Sequence, residues 1–276
     1  MSSRNRVPTA LEPYLRLPPE ATLILLTGTL GCNVNWLTAR FAGSLLARDG
    51  QPHGAGGEGQ DNETAVVLVS WMRDAAFWKS EIRRGTGIDV SKMAESTRYV
   101  FVDCFSRIQA LAEMEKTVAS AIMAAASSGA RNVVLIFDNP DVLLAITLAS
   151  AQQLSSFLLG LRSLSHSTIL ACSADLPLLA AATSTRETMP TPIEAESAAF
   201  VVQQAHSARF VLGVRELDTG AAKDISGVMR VTRGGAAYDW EGEEAVKEDV
   251  KEMEALYLMQ RDGNAMVFER GATGHG

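Results

Sequence analysis

Histidine and cysteine are scarce in this chain of 276 residues, with four of the first and three of the second. Cys32, Cys104 and Cys172 are odd in number, far apart, and each lies in or beside an apolar run. They read as reduced core thiols rather than a disulfide framework. His53, His166, His206 and His275 make no His-x-x-x-His pair, and there is no Cys-x-x-Cys, so a zinc site lacks local support. No apolar run reaches the roughly 18 residues that span a bilayer, and no membrane partner is expected. Arg4 and Arg6 ahead of Ala21 to Leu26 imitate a secretory signal, but Pro13, Pro18, Pro19 and Glu20 interrupt the lead-in. That stretch is expected to be a buried strand instead. Basic side chains are also in deficit, 25 against 32 acidic, for a formal net charge of -7. This argues against a general nucleic-acid coat and leaves room for a local basic site. Hydrophobic residues make up 47% of the chain, too many for disorder, and at this length no metal or disulfide staple is needed.

What is present is a series of short apolar runs with helical segments between them, the pattern of a parallel sheet covered on both faces. Buried strands are expected at Thr22 to Leu26, Ala65 to Ser70, Tyr99 to Asp103, Val133 to Asp138 and Thr168 to Ser173. Helices are expected at Asn35 to Arg48, Asp74 to Arg84, Arg107 to Ser128 and Val142 to Ser163. The third carries Ile108, Leu111, Met114, Val118 and Ile122 as a core-facing stripe. Phe210 to Leu217 and Val228 to Thr232 alternate around Asp218-Thr219-Gly220 and read as an antiparallel hairpin. An acidic helix from Glu241 to Gln260, an edge strand at Ala265 to Arg270 and a flexible tail would follow. The expected organisation is a flexible segment 1–20, one α/β domain over 21–240, and the acidic end 241–276. Unstructured insertions are expected near 49–64 and 183–197, where glycine, or Thr, Ser and Pro, accumulate.

The first strand runs into Thr27-Gly28-Thr29-Leu30-Gly31-Cys32-Asn33-Val34-Asn35 and then a helix. Position and length are those of a phosphate loop, G-x-x-x-x-G-K-[ST], whose amides and helix N-terminus hold phosphates. Gly28 fits, but Asn33 replaces the second glycine, Val34 the lysine and Asn35 the Mg²⁺-binding hydroxyl. Losing the lysine removes a charge-assisted contact of roughly 1.5 to 3 kcal/mol. Asp138 ends the fourth strand, where a P-loop NTPase keeps an Mg²⁺-side carboxylate. Asp138-Asn139-Pro140-Asp141 also reads as a helix cap with proline in the first turn, and capping takes the larger share. After the second strand comes Ser70-Trp71-Met72-Arg73-Asp74, in which Trp71 and Met72 cannot act as a base. No G-x-S-x-G, G-x-G-x-x-G or Cys/His signature offers other chemistry, so no catalytic residue, cofactor or metal is expected.

Three runs in order, Leu23-Ile24-Leu25-Leu26-Thr27-Gly28, Val66-Val67-Leu68-Val69-Ser70-Trp71-Met72-Arg73-Asp74-Ala75-Ala76-Phe77-Trp78-Lys79 and Phe101-Val102-Asp103, resemble the fungal sixth subunit of the Elongator complex. Asp224-Ile225-Ser226-Gly227-Val228-Met229-Arg230-Val231-Thr232-Arg233-Gly234-Gly235 is similar to the same family, so the resemblance spans roughly residues 15 to 240. It implies a RecA-like fold without ATPase motifs. It further implies a hetero-hexameric ring with Elongator subunits four and five, docked on the catalytic Elongator subcomplex. That ring would bind tRNA and support modification of its wobble uridine, in the cytoplasm and also the nucleus. Arg215, Arg230 and Arg233, on or beside the expected hairpin, are the candidate contacts to a neighbouring subunit or RNA. Lys79, Arg83 and Arg84 beside Phe77 and Trp78 form a second basic cluster, with core packing the better reading of the two aromatics. The alternatives are a RecA paralogue that binds single-stranded DNA in recombination and a diverged KaiC-like ATPase. The acidic balance is local: eight acidic residues and two lysines between Asp239 and Glu254 carry -6 of the total charge.

Overall fold

A computed structural model describes residues 7–47, 64–106, 109–127, 129–182, 189–220, 222, 224–237 and 250–269. Six strands run parallel: β1 (Leu23–Gly28), β2 (Thr64–Ser70), β3 (Tyr99–Asp103), β4 (Asn132–Asp138), β5 (Ser167–Ser173) and β6 (Phe210–Arg215). Three more, β7 (Gly227–Arg233), β8 (Met253–Met259) and β9 (Ala265–Glu269), extend the sheet antiparallel. Among the described residues they make one sheet in the order β3-β2-β4-β5-β1-β6-β7-β8-β9. Every residue of β2 is buried. A seven-residue run such as Thr-Ala-Val-Val-Leu-Val-Ser can be placed that way only where both sheet faces are covered.

Helices α1 (Asn35–Ala47), α2 (Ala75–Thr86) and α3 (Val90–Glu95) cover one face. There Trp36, Leu37, Phe41, Leu45, Trp78 and Ile82 pack on Ile24, Leu26, Val66 and Leu68. The other face is covered by α4 (Leu111–Ser127), α5 (Val142–Ile146), α6 (Ala151–Arg162) and α8 (Pro192–Ser207), with the short α7 (Leu176–Leu179) leading into α8. Met114, Val118 and Ile122 of α4 are buried as their spacing of four predicts, while Ile108 lies outside the described residues.

The structure corrects several expectations. The helix expected over 142–163 is two helices, because Ser150 starts a new one with a capping box: its side chain accepts from the Gln153 amide while Gln153 returns to the Ser150 amide. The region 183–197 is not unstructured throughout. Thr191 and Glu194 build a second capping box with Pro192 in the first turn, and α8 buries Ala198, Phe200, Val201 and Gln204. The flexible segment expected over 1–20 is packed from residue 7 on, with Leu11, Tyr14 and Leu15 buried and Tyr14 edge-on to Phe210 at 5.6 Å. The acidic helix expected through Gln260 is strand β8 over Met253–Met259. Ala255 and Tyr257 alternate inward, and Tyr257 stacks on Trp36 with ring centroids 5.3 Å apart. The edge strand near 265 is β9. The insertion near 49–64, apart from Thr64 in β2, the stretches 183–188 and 241–249, and the tail beyond 269 fall outside the described residues.

Candidate functional site

Gly28 closes β1, and the chain folds back at once: the Cys32 amide donates to the Thr29 carbonyl at 2.8 Å. Gly31 makes this turn possible with φ of +87°, a region that an L side chain rarely enters. The loop is pressed against its own start, since a Cβ on Gly28 would meet the Cys32 carbonyl oxygen at 2.7 Å. The Cys32 carbonyl therefore packs directly on the Gly28 backbone, leaving no room there for a side chain. Val34, in the lysine position, is buried in the core under the sheet. Asn33 turns its side-chain oxygen onto the Asn35 amide at 3.2 Å, using a donor of the α1 N-terminus.

Two carboxylates complete this arrangement. The Leu30 amide donates to Asp175, just beyond β5, at 2.5 Å. Glu216, just beyond β6, lies against Gly31, where its Oε1 fills the space a Cβ would take. Both are brought in by strand order, because β5 and β6 flank β1. The loop itself offers a phosphate no lysine and sets two carboxylates beside it, with Arg215 and Arg230 the cations that line the same cleft.

Asp138 does not cap a helix, contrary to the larger share given to that reading. Its carboxylate accepts from the Ser70 hydroxyl across β2 and β4 at 2.6 Å. Ser70 in turn accepts from the Arg73 amide at 2.9 Å, so this pair fixes the turn after β2. Asp138 is fully buried, and burial lifts its carboxyl to about 6 against the opposing pull of Ser70 and Arg73. Asp141 precedes α5 and accepts from the Ser173 amide at 3.1 Å instead of capping the helix. Trp71 is buried with its indole N–H on Met114 Sδ at 3.3 Å. Asp74 is the N-cap of α2, accepting from the Phe77 amide at 2.8 Å.

The hairpin arginines part company. Arg215 and Arg230 line one cleft of about 650 Å³ at the carboxyl ends of β1, β5 and β6, together with Thr27, Leu30, Asp175 and Glu216. Arg215 is already engaged, 2.6 Å from Asp218. Arg233 pairs with Phe210 at the other end of β6, and its Nε donates to the Val250 carbonyl at 3.3 Å. In the second basic cluster, Trp78 is fully buried and Arg84 pairs with Glu81, while Arg73 stacks over Phe77 at 5.2 Å. The three cysteines are free and buried, and burial pushes the Cys104 thiol up to about 12. Among the described residues no group of three His, Cys, Asp or Glu side chains could hold a metal, and no helix is long and apolar enough to cross a membrane.

Asp175 and Glu216 were missed by sequence reasoning. They stand 145 and 186 residues from Leu30, and strand order is what brings them to the loop.

Among solved structures, the KaiC-like protein of the hyperthermophilic archaeon Pyrococcus horikoshii OT3 superposes with a TM-score of 0.55, covering 91% of this chain and 90% of that one at 16% identity. The fold is RecA-like. The mainly parallel sheet with its antiparallel carboxyl-terminal strands matches that neighbour. No protein-family model and no curated protein matches the chain.

Proposed function

We propose that this chain is a non-catalytic RecA-like subunit of the Elongator complex. It builds a hetero-hexameric ring with Elongator subunits four and five, and that ring binds tRNA and supports wobble-uridine modification on the catalytic subcomplex. The observation that carries the non-catalytic reading is a phosphate loop that lacks its lysine, is folded onto Gly28 through the Cys32 carbonyl, and has Asp175 and Glu216 against it. The Elongator assignment rests on the sequence runs around Thr27, Trp71 and Arg230, supported by a RecA-like fold that spans nearly the whole chain. Co-expression with subunits four and five, followed by native mass measurement, tests it. The expected mass is that of two copies of each chain, and a monomer or homohexamer would refute the assignment.

A KaiC-like ATPase is the second reading, favoured by the structural likeness. Calorimetry with ATP and Mg²⁺ separates the two. No heat of binding is expected from the isolated chain, and micromolar affinity would reverse the conclusion. Competition of tRNA against single-stranded DNA on the assembled ring addresses the recombination alternative, with folded RNA expected to win.

A further inference from the structure

We infer that the cleft at the carboxyl ends of β1, β5 and β6 docks a partner polypeptide that presents an aliphatic or aromatic side chain beside a lysine or arginine. This rests on the reading of the chain as an assembly subunit and gives that reading a surface. Leu30 and Leu176 stand on its rim with 85% and 78% of their surface open. Leu30 lies in the loop after β1 and Leu176 opens α7, far apart in sequence, yet the hydrogen bond from the Leu30 amide to Asp175 ties the two segments together. Pro177, Val211 and Leu217 add apolar lining.

The charges choose the occupant. Arg215 is spent on Asp218 and on the Glu216 carbonyl, at 2.6 and 3.2 Å. Asp175 and Glu216 have no ion pair among the described residues. With Arg230 counted against Asp175, Glu216 and the Arg215–Asp218 pair, the lining still carries one negative charge in excess, so a phosphate or polyanion is disfavoured. A purely apolar ligand would strip water from the carboxylates without replacing it. An apolar anchor with an adjacent cation fills the rim and pairs the carboxylates, the combination that gives interfaces affinity and selectivity together.

The test uses the full-length chain with Elongator subunits four and five, read by native mass spectrometry and by titration of labelled chain. Leu30→Glu and Leu176→Glu are expected to weaken assembly by about tenfold or more each. Both leucines are solvent-facing, so thermal melting of the variants should match the parent and exclude misfolding. Leu164→Glu, on an exposed leucine just before the amino end of β5 and so at the opposite end of the strands, should assemble normally. Glu216→Gln should weaken assembly about fivefold and reduce its salt dependence. Normal assembly of both leucine variants would overturn the docking site while leaving the subunit reading intact. Self-association of the isolated chain, abolished by the same two substitutions, would overturn the assignment of a different polypeptide in favour of a second copy. Failure of the parent chain to assemble would instead refute the subunit reading and the inference with it.

Discussion

Asp138 is the residue on which pH acts most directly. Its folded carboxyl titrates near 6, above the ordinary 3.8, because burial disfavours the anion. The folded state therefore binds this proton more tightly than the unfolded state does, and its contribution to stability falls as pH rises from about 4 to about 6. The difference amounts to about 3 kcal/mol. Asp138→Asn keeps an acceptor for the Ser70 hydroxyl and removes the titration. Urea unfolding at pH 4 and pH 7 is expected to show the variant gaining about 2 kcal/mol relative to the parent between those values. An unchanged difference would mean that Asp138 is ionised at no cost. At the phosphate loop, Asn33→Gly, Val34→Lys and Asn35→Thr combined should still bind no ATP by calorimetry, since Asp175 and Glu216 remain in place. The defective loop was legible from Val34 alone, whereas the two carboxylates were not. A lysine missing from a local motif can be read along the chain, but a charge delivered from a neighbouring strand requires the strand order.

Among the elements, the parallel strands were legible because burial on both faces leaves uninterrupted Val, Leu and Ile runs such as Val66–Val69. Strand β8 was not legible, because Glu252, Glu254 and Lys251 surround Met253, Ala255 and Tyr257, and a charged stretch reads as a solvated helix. The period of two in the three inward residues is the signal that could have found it. The capping boxes at Ser150–Gln153 and Thr191–Glu194 were likewise visible as S/T-x-x-E/Q and would have placed α6 and α8. Their energies can be measured. Ser150→Ala should cost about 1 kcal/mol in urea unfolding. Tyr257→Ala, which removes the ring stacked on Trp36 between β8 and α1, should cost about 3 to 5 kcal/mol. A cost below 1 kcal/mol for Tyr257→Ala would show β8 to be peripheral to the core.

For the molecule as a whole, charge bears on the proposed binding of tRNA. The chain carries -7, of which -6 lies between Asp239 and Glu254, so the remainder is close to neutral. Few of the named arginines act together: Arg215 is paired with Asp218, Arg84 with Glu81, and Arg233 lies at the opposite end of the β6–β7 pair from Arg215. Affinity for a phosphate backbone grows with the number of phosphates neutralised together, and dispersed, paired cations release few counterions. If the ring binds tRNA, most of its basic surface must come from the neighbouring subunits or be completed only where they meet this chain. The isolated chain is accordingly expected to bind tRNA at least about a hundredfold more weakly than the assembled ring at physiological salt, measured by fluorescence anisotropy. Raising salt from 50 to 200 mM should weaken the ring's binding steeply and leave the isolated chain's slope near zero. Equal affinities and equal slopes would place the RNA site on this chain alone and would make Arg230 and its neighbours on β7 the first residues to substitute.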